Sequence, residues 1–165
     1  MTTAAILLAT DSSASGAATA LAPSADGETL IEWQVAQLLE AGVDVVEVVL
    51  GCDAERTIPL IAGDNVEPIV HSAWEHDHAG GARIGATAVP RGTSTAIIVD
   101  IAQPADAGAC VALLEAHIAS GAAVTRAAPA SGAAVVVDAA VLAELRNATD
   151  EGGGVEAVIG RHERR

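Results

Sequence analysis

The first residues suited to chemistry follow the first apolar run of the chain. Residues 4–9 read AAILLA, the pattern of a buried strand, and the chain continues TDSSAS over residues 10–15. Hydroxyl and carboxylate groups therefore occupy a place where nucleotide-binding proteins carry glycines and a basic side chain. We expect this loop to lie where a phosphate would bind, although it lacks the residues that would hold a phosphate tightly.

A second group of reactive side chains lies in HSAWEHDH, residues 71–78. His71, His76, Asp77 and His78 supply nitrogen and oxygen atoms of the kind that bind transition metals. His76 and His78 are two residues apart, so both side chains would face the same way on an extended loop. The sequence leaves two interpretations open, a metal site and an ordinary solvated loop.

Other kinds of chemistry are excluded by residues that the chain lacks. There is no lysine, which removes both the lysine of a P-loop and Schiff-base chemistry. The serines at 12, 13 and 15 are not in a G-x-S-x-G nucleophile elbow. Cys52 and Cys110 are too few for a disulfide framework or a closed cysteine zinc site.

Charge and hydropathy indicate the surroundings in which the chain works. The net charge is −14, so the surface repels nucleic acid unless the four arginines between Arg146 and Arg165 act alone. No apolar run approaches the roughly 18 residues of a membrane span. We therefore expect a cytoplasmic protein, bound to neither nucleic acid nor a membrane, with residues 1–165 folded as a single domain.

Strand-like and helix-like segments alternate along the chain and must position these residues. We predict strands at 4–9, 43–51, 66–70, 95–100, 122–128 and 132–138, and helices at 29–42, from 53, around 80–88, at 106–120, at 139–148 and after 154. This alternation predicts a three-layer α/β/α fold with a mostly parallel, doubly wound sheet. Ligands bind at the carboxyl ends of strands in such sheets, so the loops after Ala9, Gly51, Val70 and Asp100 are the candidate site.

The order of these segments resembles the MobA-like family of molybdenum cofactor nucleotidyltransferases. The family has L-A-A-G-x-S-x-R-M-G after its first strand, where residues 8–17 here read LATDSSASGA, and the later stretch EHDHAGGARIGA is similar to its glycine-rich loop. The resemblance covers residues 4–165 and implies a nucleotide-diphospho-sugar-transferase-like, Rossmann-like fold. It further implies transfer of a nucleotidyl group from CTP or GTP to molybdopterin or a related phosphorylated acceptor, with Mg²⁺.

The resemblance also assigns site residues. Asp100 corresponds to the family's catalytic aspartate, which holds magnesium at a strand end, although the late position of Pro104 leaves Ala102 as an alternative match. An ordinary turn or capping aspartate is the other interpretation of Asp100. The residues implied to bind the nucleotide are Ala9, Thr10, Asp11, Ser12, Ser13, Ser15, Thr19 and Arg83.

The chain departs from the family pattern where phosphate charge must be neutralised. Asp11 replaces a glycine, Ser15 an arginine, Thr19 a lysine and Gly154 another arginine, whereas Asp150 is kept. A carboxylate at position 11 narrows the phosphate cradle and repels the ligand. A second hypothesis follows, in which the protein is a catalytically inactive relative that serves as a binding or scaffold protein for a protein partner.

Overall fold

The computed structural model describes residues 2–11, 16, 18–127 and 134–163. Six strands and six α-helices are present in this part of the chain. The strands are β1 (Thr2–Ala9), β2 (Val45–Leu50), β3 (Val66–Val70), β4 (Thr93–Asp100), β5 (Val124–Arg126) and β6 (Val135–Asp138). The helices are α1 (Leu30–Glu40), α2 (Ala54–Thr57), α3 (Gly80–Ala88), α4 (Ala107–Ser120), α5 (Ala139–Leu145) and α6 (Gly154–Glu163).

The strands form one sheet in the order β3-β2-β1-β4-β6-β5. Strands β1 to β4 are parallel, whereas β6 runs antiparallel to β4 and β5 antiparallel to β6. The predicted mostly parallel α/β fold is thus confirmed. The direction of β6 follows from tertiary pairing, which the apolar run of this strand does not encode.

Helices cover both faces of the sheet. On one face of the sheet, alternate residues of β1, such as Leu7, share a hydrophobic core with residues of α1 and α4. The core on the other face joins Ile6 to α3, α5 and α6. Helix α3 lies so close to β1 that a Cβ atom at Gly85 would collide with Ile6. A core built from Val, Ile, Leu and Ala permits this close packing.

The register aligns the strand ends at one edge of the sheet. Leu8 of β1 is opposite Asp100 of β4, while Leu50 of β2 is opposite Val70 of β3. The four loops that follow these parallel strands therefore emerge together. Within the described residues, no helix is both long and apolar enough to cross a bilayer.

Candidate functional site

A cleft of about 530 Å³ opens at the carboxyl edge of the parallel strands. It lies where the strand order changes direction, between the ends of β1 and β4, which is the usual ligand position in a doubly wound sheet. The residues that line it are Leu8, Thr10, Asp11, His71, Trp74, Glu75, Asp77, His78, Gly81 and Asp100. Two of the four predicted loops, those after Ala9 and Val70, thus contribute to one cleft together with Asp100 at the end of β4.

Asp100 ends β4 and reaches the cleft. The Ile101 amide donates to the Leu8 carbonyl at 2.9 Å, so the sheet pairing continues past the aspartate, and the Ala102 amide donates to Asp100 Oδ1 at 2.9 Å. Burial raises the pKa of the Asp100 carboxyl, the Ala102 hydrogen bond lowers it by less, and the charge of Asp11 raises it by the smallest amount. Asp100 and Asp11 are therefore two carboxylates that repel each other across the cleft.

The loop after β1 forms one wall of the cleft. Thr10 and the exposed Asp11 line the cleft, whereas Ala9 is 1% exposed and packs into the core. Thr19 begins a short 3-10 helix, and its amide donates to the Asp11 carbonyl at 3.1 Å. The other predicted nucleotide-binding residues of this loop lie outside the described residues; they are Ser12, Ser13 and Ser15.

Arg83, the one basic residue predicted to bind the nucleotide, is engaged elsewhere. Its guanidinium forms an ion pair with Asp77 and donates to the Ala148 carbonyl at 2.8 Å. This hydrogen-bonded pairing holds the pKa of Asp77 below its ordinary value and raises the pKa of Arg83. Arg83 supports the second wall of the cleft and is not among the residues that line it.

The second wall is the segment from His71 to Ala79, which buried polar contacts hold in place. His71 is 5% exposed, and its Nε2 donates to the Asp77 carbonyl at 3.0 Å. Asp150 accepts from the His78 amide at 2.9 Å and from the Ala79 amide at 2.7 Å, just before α3 begins. The long-range contact of Asp150 was not predicted from the sequence, although the residue was noted as matching the family pattern.

The metal hypothesis for residues 71–78 finds no support in the geometry. Throughout the described ranges, which include all of this segment, no three His, Cys, Asp or Glu side chains converge as metal ligands would. The Nε2 atom of His71 carries a proton because its partner is a carbonyl oxygen, so this nitrogen is not available to a metal. His76 and His78 are exposed, which agrees with the interpretation of this segment as an ordinary solvated loop.

Trp74 forms the side of the cleft next to β2. Its side chain lies so close to Gly51 that a Cβ atom there would approach Trp74 Cγ to 2.5 Å. Cys52 follows, and burial together with the charges of Asp53 and Glu75 raises the pKa of its thiol. Cys52 is therefore poorly suited to act as a thiolate nucleophile. The close contact between Gly51 and Trp74 depends on tertiary packing, so it could not be predicted from the sequence.

The fold and the cleft define an α/β protein with a carboxylate-lined cleft at the strand-order reversal. The family model of the MobA-like NTP transferase domain matches residues 4–165. The chain belongs to this family, as the resemblance predicted, and membership supports nucleotidyl transfer as its class of activity. Comparison with curated protein sequences gives no match.

Solved structures with the same fold include three informative neighbours. Rv0371c from Mycobacterium tuberculosis H37Rv, in complex with manganese, has 16% identity and a TM-score of 0.73 over 93% of this chain and 80% of the other. An Rv0371c homologue from Mycobacterium sp. strain JC1 has 21% identity and a TM-score of 0.72 over 92% and 77%. The 4-diphosphocytidyl-2C-methyl-D-erythritol synthase of Anaerococcus prevotii DSM 20548 has 12% identity and a TM-score of 0.65 over 88% and 74%. At these identities the neighbours establish the fold.

Proposed function

We propose that the protein transfers a nucleotidyl group from CTP or GTP to molybdopterin or a related phosphorylated acceptor. The observation that carries this proposal is the position of Asp11 and Asp100, which line the same cleft at the point where the strand order reverses. The activity class comes from family membership. The choice of CTP or GTP, and of the acceptor, rests on the family resemblance.

The carboxylates fit a divalent cation with oxygen ligands. Mg²⁺ is usually held by one or two carboxylates, with substrate phosphates and water completing the octahedron. Asp11 and Asp100 both line the cleft, and a cation bound there would offset the burial and the Asp11 charge that raise the pKa of Asp100. We propose Mg²⁺ as the cofactor, and the manganese in the Rv0371c crystal structure is consistent with a divalent ion in this fold.

The charge of the cleft makes the cation a condition of nucleotide binding. Its described lining carries four carboxylates, Asp11, Glu75, Asp77 and Asp100, and neither arginine nor lysine. The loop from residue 10 to residue 19 also lacks a basic side chain. A triphosphate without a metal would therefore be repelled, because nothing in this lining offsets its charge. We expect nucleotide affinity to depend strictly on the divalent ion.

The chain's own groups would bind and orient the reactants. We expect backbone amides and hydroxyls of Thr10, Ser12, Ser13 and Ser15 to contact the phosphates, and Asp100 to hold the cation against them. A phosphate oxygen of the acceptor then attacks the α-phosphorus in line. A new phosphorus–oxygen bond forms as the bond to the β-phosphate bridging oxygen breaks, and pyrophosphate leaves with that electron pair.

Isothermal titration with CTP, GTP and ATP, with Mg²⁺ and then with EDTA, tests this proposal. We expect one nucleotide to bind in the micromolar range only when Mg²⁺ is present, and pyrophosphate to be released when the acceptor is added. Binding that is equally strong in EDTA would contradict the role of the carboxylates. Absence of binding from a folded sample would overturn the proposal.

A second candidate function has its own supporting observation. Arg83, which is basic and close to the cleft, is committed to Asp77 and the Ala148 carbonyl. A site without a free cationic side chain is what an inactive relative would retain, and such a relative would act by binding a protein partner. A folded sample that binds no nucleotide with Mg²⁺ would favour this function over transfer.

A further inference from the structure

Cys52 and Asp53, which form the corner between β2 and α2, make hydrogen bonds to residues at the two ends of the loop that begins with Thr10. The Cys52 amide donates to the Thr10 carbonyl at 3.1 Å at the start of the loop. The Ala18 amide donates to Asp53 Oδ2 at 3.2 Å near its end. Two consecutive residues of the corner thus hold positions eight residues apart in the loop.

Asp53 has a backbone conformation that few residues with a side chain adopt. Its φ of 53° and ψ of 34° lie in the left-handed region, and Asn65 is the other residue besides glycine with a positive φ in the part of the chain described. This conformation is unfavourable for a residue with a Cβ atom, and such strain tends to persist where function requires it. The strain marks Asp53 as more than an ordinary turn residue.

The side chain of Asp53 also lacks the hydrogen bond that is usual at its position in the chain. Asp53 is the N-cap of α2, where an aspartate commonly accepts a hydrogen bond from its own helix, but no such bond is present. Its Oδ2 atom instead accepts from Ala18, 35 positions earlier in the chain. Arg56 lies 3.8 Å from the same oxygen and is largely exposed, so it contributes little to fixing the carboxylate.

We propose that Asp53 is a positioning residue for the nucleotide-binding loop, acting through the Ala18 amide. The inference rests on the proposed function, because the loop is the one we expect to contact the phosphates. Holding Ala18 in place before the ligand arrives reduces the ordering that binding must otherwise impose at this end of the loop. The strain at Asp53 is tolerated because the left-handed backbone aims its carboxylate at the loop and away from α2.

Three substitutions test this role. Asp53→Gly removes the acceptor and suits the positive φ, whereas Asp53→Asn keeps an oxygen acceptor in a residue type that also tolerates this conformation. Asn65→Gly is the matched control, because it relaxes the other left-handed residue next to β3, away from the loop. We expect Asp53→Gly to weaken binding of the magnesium nucleotide about five- to tenfold, the effect of losing one hydrogen bond. Asp53→Asn and Asn65→Gly should each stay within about twofold of the parent protein.

Two further measurements separate this proposal from the function on which it rests. Thermal unfolding should show Asp53→Gly folded with a midpoint close to that of the parent, so a loss of affinity is not a loss of fold. Amide exchange by NMR should show faster exchange at Ala18 in Asp53→Gly and protection restored in Asp53→Asn, with or without nucleotide. Unchanged exchange at Ala18, or equal loss of affinity in Asp53→Gly and Asp53→Asn, would overturn the positioning role. If the parent binds no nucleotide, the proposed function fails while faster Ala18 exchange in Asp53→Gly still establishes the contact.

Discussion

Two carboxyl groups in different parts of the sheet, those of Asp100 and Glu47, both have a raised pKa because their surroundings destabilise the charged form. Asp100 ends β4 at the cleft, and Glu47 lies in the middle of β2, where it is 3% exposed and opposite Glu67 of β3. In both cases burial raises the pKa and a second acidic residue raises it further, to about 7 for Glu47. The two regions differ in what can reach the carboxyl group.

This difference decides what each carboxyl group can do. Asp100 lines an open cleft of about 530 Å³, so a cation can approach it and offset the negative charge of the carboxyl groups there. Glu47 lies between Ile6 and Glu67 in the register of the sheet, and its burial leaves no path for a counter-ion. A raised pKa is therefore expected to favour cation binding at Asp100 and to reduce stability at Glu47.

Asp100→Asn should have the largest effect of the substitutions that test this comparison. We expect nucleotidyl transfer, followed as pyrophosphate release, to fall by about 10²- to 10³-fold, since the substitution removes a charged ligand of the cation. The unfolding free energy without metal should not fall, because asparagine can still accept from the Ala102 amide and lacks the buried charge. Thermal stabilisation by Mg²⁺ with nucleotide should disappear.

Asp106→Asn is the matched control for Asp100→Asn. Asp106 follows the same strand and caps α4 by accepting from the Ala109 amide at 2.8 Å, a role that asparagine fills equally well. Its activity should equal that of the parent protein. Comparable losses in both variants would show that the loop after β4 is sensitive as a whole and that Asp100 has no special role.

Glu47→Gln should have the next largest effect, on stability rather than activity. Because the pKa of about 7 in the folded protein exceeds the ordinary glutamate value of 4.5, the folded state binds more protons between these values. The unfolding free energy of the parent therefore falls as pH rises through this window and levels off above it. Glutamine carries no charge, so we expect it to raise stability at about pH 8 by roughly 2–3 kcal/mol.

Urea denaturation at about pH 5 and at about pH 8 measures the effect of Glu47→Gln. The stability difference between variant and parent should be small at the lower pH and largest at the higher pH. Glu67→Gln is the control, since Glu67 is exposed and its removal relieves only the smaller, Coulombic part of the shift. A stability gain that is the same at both pH values would mean that Glu47 is not ionised by the higher pH.

The fold and the place of the site could be predicted from sequence because both follow from local patterns. Continuous apolar runs mark buried parallel strands, and the carboxyl ends of such strands are where a cleft is expected; Asp100 lines the cleft at that edge. The contacts of Arg83 could not be predicted in this way. Asp77 is only six residues from Arg83, but the contact with the Ala148 carbonyl depends on how the segment after α5 packs against α3, over a long separation in sequence.

Conformation limits sequence-based prediction for a different reason at Asp53 and Glu47. An aspartate before a short helix is typical of an ordinary cap, and a glutamate is rarely buried without a partner. The left-handed backbone of Asp53 and the burial of Glu47 depend on the neighbouring loop and strands. Neither position follows the structure that its local sequence favours, and of the two we propose a functional role only for Asp53.

Asp11→Asn should also lower activity, because it removes the second carboxylate proposed to hold the cation. Its shift of the pH profile should be the smallest effect predicted here, and that shift tests whether the two cleft carboxylates are coupled. Cation binding requires ionised Asp100, so activity should fall as pH decreases through the raised pKa of this group. Burial is the larger cause of the shift and is unchanged by the substitution, so removing the Asp11 charge should move the acid limb of the pH profile only slightly toward lower pH. Glu75→Gln removes another cleft carboxylate that does not contribute to the Asp100 shift, and its acid limb should stay in place. If both variants move the limb equally, the cleft acts on Asp100 through its total charge, and the specific pairing with Asp11 that supports a shared cation is wrong.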